Sequence, residues 1–474
     1  MRKIRLFILA LALFSCGCAS APKADLSRVN LVPGLESFDS NDRILILAPH
    51  PDDEAIACAG IIQKALAAGA QVRIVYLTNG DHNEFAFIVY EKRITLRQGE
   101  FIHLGKLRQQ ESVKAMKFLG LPQENLVFLG YPDYGTFEIF CKYWQTPKPF
   151  RDRLTRISSV PYKDNSSYGA VYVGENILGD LTRQILDYQP NKIFVSHPGD
   201  VNVDHKALYL FLQVALSDLE TRLLAPEVYP YLVHCAGWPK PRHYHPELEL
   251  YPPGKFTGSR VSWISSGLSP EELAKKYKAI LFYRTQTNSS AFYLLSFARK
   301  NELFSDFPAL ELKPQASSPE GISYSDASQM YPDEEYPSNF EQPERFEDQG
   351  SVSYAVADDY FIVRLDKPGK LSRRLATMLY IFGYSRSTPF AQMPKIRIIT
   401  RGKRYKVFSS KYRLVYPGVL LDFGKNYLIL KIPLKLLGRP DYVLTALKAY
   451  RGNLPIDAVV FRKVEIKRMS NIQH

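Results

Sequence analysis

The chain has 474 residues, which is too long for one ordinary hydrophobic core, so two or three domains are expected. A hydrophobic fraction of 46% with 13% aromatic residues excludes a globally disordered protein. The formal net charge of +13 is concentrated in residues 351–474, which hold 24 Lys and Arg against 7 Asp and Glu, so the rest of the chain sums to −4.

The N-terminus has the features of an export signal. Three basic residues precede the apolar run 6–14, which is too short to span a membrane as a helix. The Leu-Phe-Ser-Cys box that ends at Cys16 resembles a bacterial lipoprotein processing site, with Cys16 as the lipidated residue that anchors the mature protein to a membrane. The alternative is an ordinary secretory signal cut near residues 19–20. Either interpretation predicts an exported protein, with a signal peptide at 1–19 and a polar tether at 20–40.

The next stretch predicts a βαβ unit. Residues 44–48 are apolar and are bounded by polar residues and prolines, as in a buried parallel strand. Residues 54–68 have helix-forming composition and are followed by Gly69, and residues 72–77 predict a second strand. This order indicates a parallel sheet with a right-handed crossover. Because there is no GxGxxG loop, no dinucleotide is predicted.

Further elements of the same type follow. They are a helix at 97–119, a strand at 126–129, a helix at 179–188, a strand at 192–196 and a helix at 206–216. On the first of these helices, Arg108 and Glu111 are three residues apart and are candidates for an ion pair. We therefore predict an α/β fold with a Rossmann-like, mainly parallel sheet flanked by helices.

Two of the predicted strands end in polar clusters. His50, Asp52 and Asp53 follow the first strand, and a loop that runs from His197 to His205 follows the strand at 192–196. Each cluster alone is also what a turn or a helix cap looks like. Parallel strands, however, bring their carboxyl ends to one edge of a sheet, where ligands bind.

Together, the two polar clusters contain the residues that a mononuclear hydrolytic zinc site requires. Such a site needs three protein ligands, one open position for water and a base for that water. His50, Asp53 and His205 supply the ligands, and Asp52, held in a proline-containing loop, is the natural base.

The remainder of the chain divides into three parts. Residues 233–263 are a Pro- and aromatic-rich loop, and helices are predicted from Ser269 through Ile280 and over 290–302. Residues rich in Pro, Ser and acidic side chains then predict a linker. We place the domain boundaries at 41–312 for the α/β domain, 313–350 for the linker and 351–474 for a basic accessory domain.

The accessory domain has the texture of an all-β sandwich. Alternating apolar residues predict short strands at 360–365, 395–399, 419–423 and 427–432, the last two joined by a hairpin turn. Its basic character indicates binding of carbohydrate or of an anionic envelope polymer, or else a solvated basic face on a structural cap. No nucleic-acid partner is predicted.

The motifs resemble a known family. Ala48 to Glu54, Ala-Pro-His-Pro-Asp-Asp-Glu, and the later Asp204-His205 are similar to the motifs of the PIG-L/LmbE-like zinc-dependent de-N-acetylases. The resemblance covers roughly residues 40–312, because supporting matches occur in the family's order. These matches are 108–111 with 119–120, 129–133, 278–280 with 285–286, and 301–304.

The resemblance implies roles for individual residues. It implies that His50, Asp53 and His205 bind Zn²⁺, that Asp52 is the general base, and that Arg108 and Asp133 contact the sugar. Asp81, after the strand at 72–77, and His197, after the strand at 192–196, are further candidates for substrate binding.

One position departs from the family pattern. Many members have a His three residues before the ligating His, whereas this chain has Asn202. An Asn amide can donate a hydrogen bond to an oxyanion but cannot deliver a proton. His197, His82 or the conjugate acid of Asp52 are the groups left to protonate the leaving amine.

The sequence therefore predicts a zinc-dependent hydrolase that removes an acetyl group from an N-acetylated amino sugar in a glycan or glycoconjugate of the cell envelope. Two alternatives stay open. One is a glycan-binding surface lipoprotein on the same fold with weakened catalysis, which Asn202 motivates. The other is an amidase that acts on a different N-acyl conjugate.

Overall fold

A seven-stranded sheet is the frame of the N-terminal part of this computed structural model. Its strands are β1 Arg43–Ala48, β2 Gln71–Thr78, β3 Leu126–Tyr131, β4 Lys192–Ser196, β5 Glu227–Tyr231, β6 Ser262–Gly267 and β7 Asn301–Asp306. They lie in the order β3-β2-β1-β4-β5-β7-β6. The first five pair in parallel, and β7 pairs antiparallel with both β5 and β6. The predicted α/β class with a mainly parallel sheet is confirmed.

The structure describes only part of the chain. The described residues are 32–83, 88, 97–145, 147–256, 261–317, 321–332, 350–415, 417–451 and 454–467. The predicted signal peptide and the lipidation site at Cys16 lie outside them. No helix within these ranges is both long enough and apolar enough to cross a membrane.

Seven α-helices connect the strands in the described residues. They are α1 Asp53–Ala67, α2 Gln98–Leu119, α3 Thr136–Lys142, α4 Gly174–Tyr188, α5 Val203–Asp218, α6 Pro270–Ile280 and α7 Arg284–Leu294. α6 begins where the sequence predicts, because Ser269 and Glu272 form a reciprocal capping box before Pro270. The α1 helix is buried along most of its length beside β1 and β2.

The helix predicted over 290–302 is wrong at its C-terminal end. α7 stops at Leu294, a 3₁₀ turn covers Leu295–Phe297, and Asn301 begins β7. Pairing with β6 overrides the local helix preference here. In addition, the Glu302 carboxylate accepts hydrogen bonds from the backbone of Gly60 and Ile61, which holds the strand against α1.

The C-terminal part is strand-rich, as predicted. Its strands are β8 Leu310–Leu312, β9 Ser328–Gln329, β10 Tyr331–Pro332, β11 Ser351–Ala357, β12 Tyr360–Asp366, β13 Leu375–Tyr384, β14 Lys395–Arg401, β15 Arg404–Ser409, β16 Tyr412–Leu414, β17 Leu420–Phe423, β18 Tyr427–Pro433, β19 Tyr442–Arg451 and β20 Leu454–Ile466. One sheet has the order β10-β20-β19-β13-β14-β15-β16, with β8 beside β20, and the other has the order β17-β18-β12-β11-β9. Apolar residues of both sheets share one core.

The segment predicted as a linker also contributes to these sheets. Within it, β9 pairs with β11 and β10 pairs with β20, while β8, at the end of the predicted α/β domain, also pairs with β20. Short strand pairs of this kind carry little local sequence signal, which is why the region reads as a linker. The domain boundaries themselves stay predictions.

The strand-rich region packs directly on the α/β part. The ring of Phe140 on α3 lies 5.2 Å from that of Phe382 on β13, and Trp144 lies 4.8 Å from Phe390. The Tyr384 hydroxyl donates to Asp218 at the end of α5, at 2.9 Å. An apolar core therefore runs from α3 and α5 into β13 and β19.

Candidate active site

The loop after β1 presents two carboxylates and an imidazole in a fixed geometry. The backbone N–H of His50 donates to Asp53 Oδ2 at 3.0 Å, and that of Asp52 donates to Glu54 Oε2 at 3.0 Å. Asp52 has a φ of 124°, which is a strained conformation for a residue with a side chain and costs about 1–3 kcal/mol. Strain of this kind persists where the surroundings hold it, and Glu54 is held by the hydroxyls of Tyr76 and Tyr283.

The loop after β4 brings His205 to the same place. β4 is the parallel neighbour of β1, so the two loops leave the sheet side by side. Asn202 caps α5, since its Oδ1 accepts from the backbone N–H of Asp204 at 2.8 Å, and this sets His205 in the first turn of the helix. His205 Nε2 lies 3.2 Å from Asp53 Oδ2, and His50 Nδ1 lies 3.3 Å from the same oxygen.

The three predicted ligands fit a metal ion. One ligand atom from each of His50, Asp53 and His205 lies within 4.8 Å of the others, and all three residues are buried. Two ligand atoms that each lie about 2.0–2.1 Å from zinc at tetrahedral angles are about 3.3 Å apart. The distances of 3.3 Å and 3.2 Å from the two histidine nitrogens to Asp53 Oδ2 match this spacing, while the role of the three residues as ligands stays a prediction.

The second ring nitrogen of each histidine also faces a carboxylate. His50 Nε2 lies 3.2 Å from Asp204 Oδ2 and 3.1 Å from Asp133 Oδ1, and His205 Nδ1 lies 3.2 Å from Asp200 Oδ2. Metal-ligating histidines usually donate their other N–H to a carboxylate, which fixes the ring and its tautomer. The sequence analysis did not assign this role to Asp200 or Asp204, although both stand in the loop that it singled out.

The centre carries an excess of buried negative charge. Five buried carboxylates meet here: Asp52, Asp53, Asp133, Asp200 and Asp204. Arg108 pairs with one of them, since its Nη2 lies 3.3 Å from Asp52 Oδ2. Burial raises the pKa of Asp52, although Arg108 opposes it. Burial also works against ionisation of Asp53, but the adjacent His205 and His50 hold its pKa well below the usual range. Buried charges of one sign need compensation, so the site suits a bound cation.

A cavity of about 790 Å³ opens over this centre. Of the residues singled out in the sequence, seven line it: His50, Asp52, Asp53, His82, Arg108, Asp133 and Asn202. The rest of the wall includes Tyr134, Glu138, Phe150, Asp152, Arg153, Gln286, Tyr293 and His234. The volume lies within the range of small-molecule sites and would take a sugar unit with its neighbour.

Arg108 does not pair with Glu111. Its Nη1 donates to the Gly80 carbonyl at 2.8 Å, and its Nη2 donates to the Pro51 carbonyl at 2.7 Å and lies 3.3 Å from Asp52 Oδ2. Glu111 instead accepts from the backbone and hydroxyl of Thr285. The guanidinium thus fixes the loop that carries the predicted base.

Asp133 both lines the cavity and contacts other residues of the site. It lines the cavity, as predicted for a sugar contact, but its carboxylate also faces His50 and accepts from the backbone N–H of His82 at 2.9 Å.

Asp81 and His197, the two further candidates for substrate binding, are buried beside the site. Neither residue is among those that line the cavity in the described part of the chain. Asp81 is buried and accepts from the Tyr162 hydroxyl, and burial raises its pKa to about 7. His197 is fully buried, and its ring stacks on Trp263 with Phe256 and Phe307 at its edges. Both side chains are packed away from the cavity wall, and their contact with substrate stays a prediction.

His234 is a cavity residue that the sequence analysis missed. Its Nδ1 lies 3.3 Å from Asp200 Oδ1, and its ring lies 4.6 Å from that of His205. It follows β5, so it stands at the same edge of the sheet as the other clusters. The sequence showed no strand there because Pro230 interrupts the pattern, and a proline lowers the expectation of a strand.

The fold and the site together define a class of protein: an α/β protein with a His- and Asp-based, metal-type centre at the carboxyl edge of its parallel strands. Residues 45–216 match the model of the family described as PIG-L: GlcNAc-PI de-N-acetylase. They form a PIG-L (LmbE-like) domain, and members of this family are hydrolytic de-N-acetylases. The predicted resemblance is thereby confirmed for these residues.

Individual relatives match over shorter stretches or at low identity. A 1D-myo-inositol 2-acetamido-2-deoxy-alpha-D-glucopyranoside deacetylase of Corynebacterium glutamicum (strain R) is 32% identical over 82 residues, which is 17% of this chain. The chain covers 27% of the length of that relative. The solved N,N'-diacetylchitobiose deacetylase of Pyrococcus horikoshii is 18% identical, with a TM-score of 0.33 over 56% of this chain and 86% of that one. The A40926 pseudoaglycone deacetylase Dbv21 is 15% identical, with a TM-score of 0.34 over 56% and 96%.

Proposed function

We propose that this protein is a zinc-dependent hydrolase that removes the acetyl group from an N-acetylated amino sugar in a glycan or glycoconjugate of the cell envelope. The observation that supports the proposal is the convergence of buried His50, Asp53 and His205 at a cavity that His50, Asp53 and Asp52 line. The amino-sugar class is supported by the family description and by the name of the Corynebacterium relative. The envelope location rests on the export signal predicted from the sequence.

His50, Asp53 and His205 are the residues that would hold the ion. A bound zinc ion lowers the pKa of a water molecule and polarises a carbonyl. The carboxylates Asp204 and Asp200 orient the two imidazole rings through their outer nitrogens. These contacts fix which nitrogen of each ring is left for the metal.

Asp52 is placed to take the proton of the attacking water. It lines the cavity next to Asp53 in the chain, and its Oδ2 lies 3.3 Å from Arg108 Nη2. Burial raises the pKa of Asp52, and Arg108 opposes that rise by favouring the ionised form, which is the form that accepts a proton. The proton can then pass to the leaving amine, so that acetate and a free amino sugar are formed.

Asn202 is placed to stabilise the oxyanion that develops on the acetyl carbonyl. Its Oδ1 is used as the helix cap, which leaves the amide N–H₂ group as its donor towards the cavity that it lines. A donor of this type typically contributes a factor of about 10²–10³ in kcat. Of the groups predicted as proton donors, His82 and Asp52 line the cavity, whereas His197 is packed behind it.

The upper wall has the character of a sugar site. Tyr134 is 54% exposed and lies with its ring 5.4 Å from that of His82, and Phe150 offers a second aromatic surface. Asp152 and Arg153 stand beside them with groups that can hydrogen-bond to hydroxyls. Aromatic faces with a few polar groups are a common way to bind and orient a small polar ring.

Asn202 also keeps a second candidate open, which is a glycan-binding protein with weakened catalysis. The two differ in acetate release. We expect the zinc-loaded full chain to release acetate from N-acetylglucosamine conjugates, and the Asp52→Asn variant to retain zinc but lose at least about 10²-fold in kcat.

Asp152→Asn is the matched control for this test, since it changes another carboxylate of the same cavity that does not touch the ligand set. It should alter KM more than kcat. Equal kcat values for wild type and Asp52→Asn would remove Asp52 as the base. A folded, zinc-loaded wild type that releases no acetate from any N-acetylated glycan would favour the binding protein.

A further inference from the structure

One face of the strand-rich region is strongly basic. From Lys395 to Leu421 the chain has eight Lys and Arg and no Asp or Glu. Lys395 is buried, and the other seven are exposed or half-buried. We call these seven the basic face: five on β14 to β16, which are Arg397, Arg401, Arg404, Lys406 and Arg413, and two in the connecting turns, which are Lys403 and Lys411.

The strand register places the five strand residues on one side of the sheet. Arg401 pairs directly with Arg404, Ile399 pairs with Lys406, and Phe408 stands between Arg397 and Arg413 on the neighbouring strands. Directly paired residues share a face, and their chain neighbours point the other way. Those neighbours include Ile396, Ile398 and Val407, which are buried in the core. The cations therefore face away from the core.

These positive charges are not neutralised within the described part of the chain. None of the seven residues forms an ion pair there, whereas other cations of the region do: Arg386 with Glu220, Arg439 with Asp359 and Arg364 with Asp366. Like charges directly opposite each other, as at Arg401 and Arg404, destabilise a strand pair. A surface that keeps such a pair is better explained by an anionic partner than by folding.

The basic face adjoins the cavity of the candidate active site. Phe150 lines that cavity, and its ring lies 5.7 Å from the ring of Tyr143. The Nζ atom of Lys411 lies 5.3 Å from the same Tyr143 ring. Arg153 adds another cation to the cavity wall itself. A chain molecule that leaves the cavity past Phe150 would therefore meet Lys411 next.

We propose that the basic face binds an anionic glycan chain, one with carboxylate or phosphate groups on its sugar units, and that this chain extends from the cavity across β14 to β16. The proposal rests on the proposed function only for the N-acetylated unit that occupies the cavity. The binding itself requires no catalysis. Exposed Tyr412, whose ring centroid is 5.7 Å from Lys411 Nζ, adds an aromatic surface beside the cations.

An anionic membrane would offer the same charge, but the contacts from Phe150 through Tyr143 to Lys411 lead to the basic face from a sugar-sized cavity. These contacts favour one ligand that occupies both the cavity and the basic face over two sites that bind separate ligands. Charge attraction of this kind is screened by salt, with a range of about 8 Å at physiological ionic strength. Binding to the basic face must therefore weaken as salt is added.

The test uses the full chain and the Arg404→Glu/Lys406→Glu double variant. The matched control is Lys275→Glu/Lys278→Glu, which makes the same charge change at exposed positions of α6. Binding is measured against a soluble polymer of alternating N-acetylglucosamine and glucuronic acid, a phosphate-bearing N-acetylglucosamine polymer, neutral N-acetylglucosamine oligomers and phosphatidylglycerol vesicles. Acetate release from a small N-acetylglucosamine conjugate is followed in parallel, so that loss of activity and loss of binding are recorded separately.

We expect salt-sensitive binding to one of the two anionic polymers, at least about tenfold weaker in the Arg404→Glu/Lys406→Glu variant and within about twofold of wild type in the control. Acetate release from the small conjugate should be unchanged in both variants. Three results would overturn the proposal: equal losses in the two variants, equal affinity for neutral and anionic polymers, or binding to the vesicles alone. A chain that releases no acetate but binds the anionic polymer in this pattern would sink the proposed activity and leave this inference standing.

Discussion

At the residue scale, the centre is a division of tasks among neighbours in the chain. His50 Nδ1 lies 3.3 Å from Asp53 Oδ2, while Asp52 between them has a strained backbone conformation and lies 3.3 Å from Arg108 Nη2. Residues of the second loop also differ in their contacts: Asn202 caps α5, and His205 lies in the first turn of that helix. Each side chain is held by contacts that a single substitution can remove, which makes the assignments testable one at a time.

Substitution of Asn202 by Ser separates its two contributions. A Ser hydroxyl can still cap α5, so the free energy of unfolding should stay within about 0.5 kcal/mol of wild type, but the amide donor is lost. We expect kcat for acetate release to fall about 10²-fold with little change in KM. The measurement is steady-state acetate release combined with urea denaturation.

Asn202→Ala is the matched control, because it removes the cap as well as the amide. It should show the same fall in kcat and, in addition, lose about 1 kcal/mol of unfolding free energy. If Asn202→Ser retains the wild-type kcat, the amide does not stabilise the transition state.

At the element scale, a buried ion pair joins α6 to β7, and the carboxylate of that pair also holds α1. The Lys276 ammonium lies 2.7 Å from Glu302 Oε1, and the same carboxylate accepts from the backbone of Gly60 and Ile61. Gly60 leaves the room for this contact, since a Cβ there would come within 2.2 Å of Leu268 and 2.9 Å of Glu302. The N-terminal end of α1 carries Asp53, so this cluster holds the helix that positions a predicted ligand.

Lys276→Met should therefore destabilise the fold. It leaves Glu302 as an uncompensated buried charge, and breaking a buried pair in this way costs about 3–5 kcal/mol. Urea denaturation should show a lower midpoint, while Lys278→Met on the exposed side of the same helix should stay within about 0.5 kcal/mol of wild type. An unchanged midpoint for Lys276→Met would show that the Lys276–Glu302 pair does not stabilise the packing of α6 and α1 on β7.

The sequence was most informative where pattern and chemistry coincide. The core strands β1, β2 and β4 are apolar runs that end in polar clusters, and the His50, Asp53 and His205 set follows from their shared sheet edge. Less could be predicted where tertiary contacts decide the structure. Asn301 and Glu302 belong to a strand because they contact β6 and α1. His234 follows β5, which was not predicted because Pro230 lies within it.

At the scale of the whole molecule, the α/β part and the strand-rich region are joined by an apolar core. The rings of Phe137 and Phe140 on α3 pack against Tyr380 and Phe382 on β13. Glu138, which stands between these two residues on α3, lines the cavity. Packing between distant parts of the chain has no local sequence signal. From the sequence alone, aromatic residues on a strand could pack against the second sheet of a sandwich as well as against the α/β part. The basic face and the cavity are thus surfaces of one continuous structure rather than of two loosely tethered modules.

The central claim is that His50, Asp53 and His205 bind one metal ion. It is tested most directly by zinc titration of the metal-free full chain, with His205→Ala as the ligand variant, Asp52→Asn as the adjacent carboxylate variant and His82→Ala as a histidine control from the same cavity. We predict one zinc ion per chain for wild type, Asp52→Asn and His82→Ala, and an affinity more than about 100-fold weaker for a folded His205→Ala. A His205→Ala protein that binds zinc as tightly as wild type would show that His205 is not a ligand of this ion.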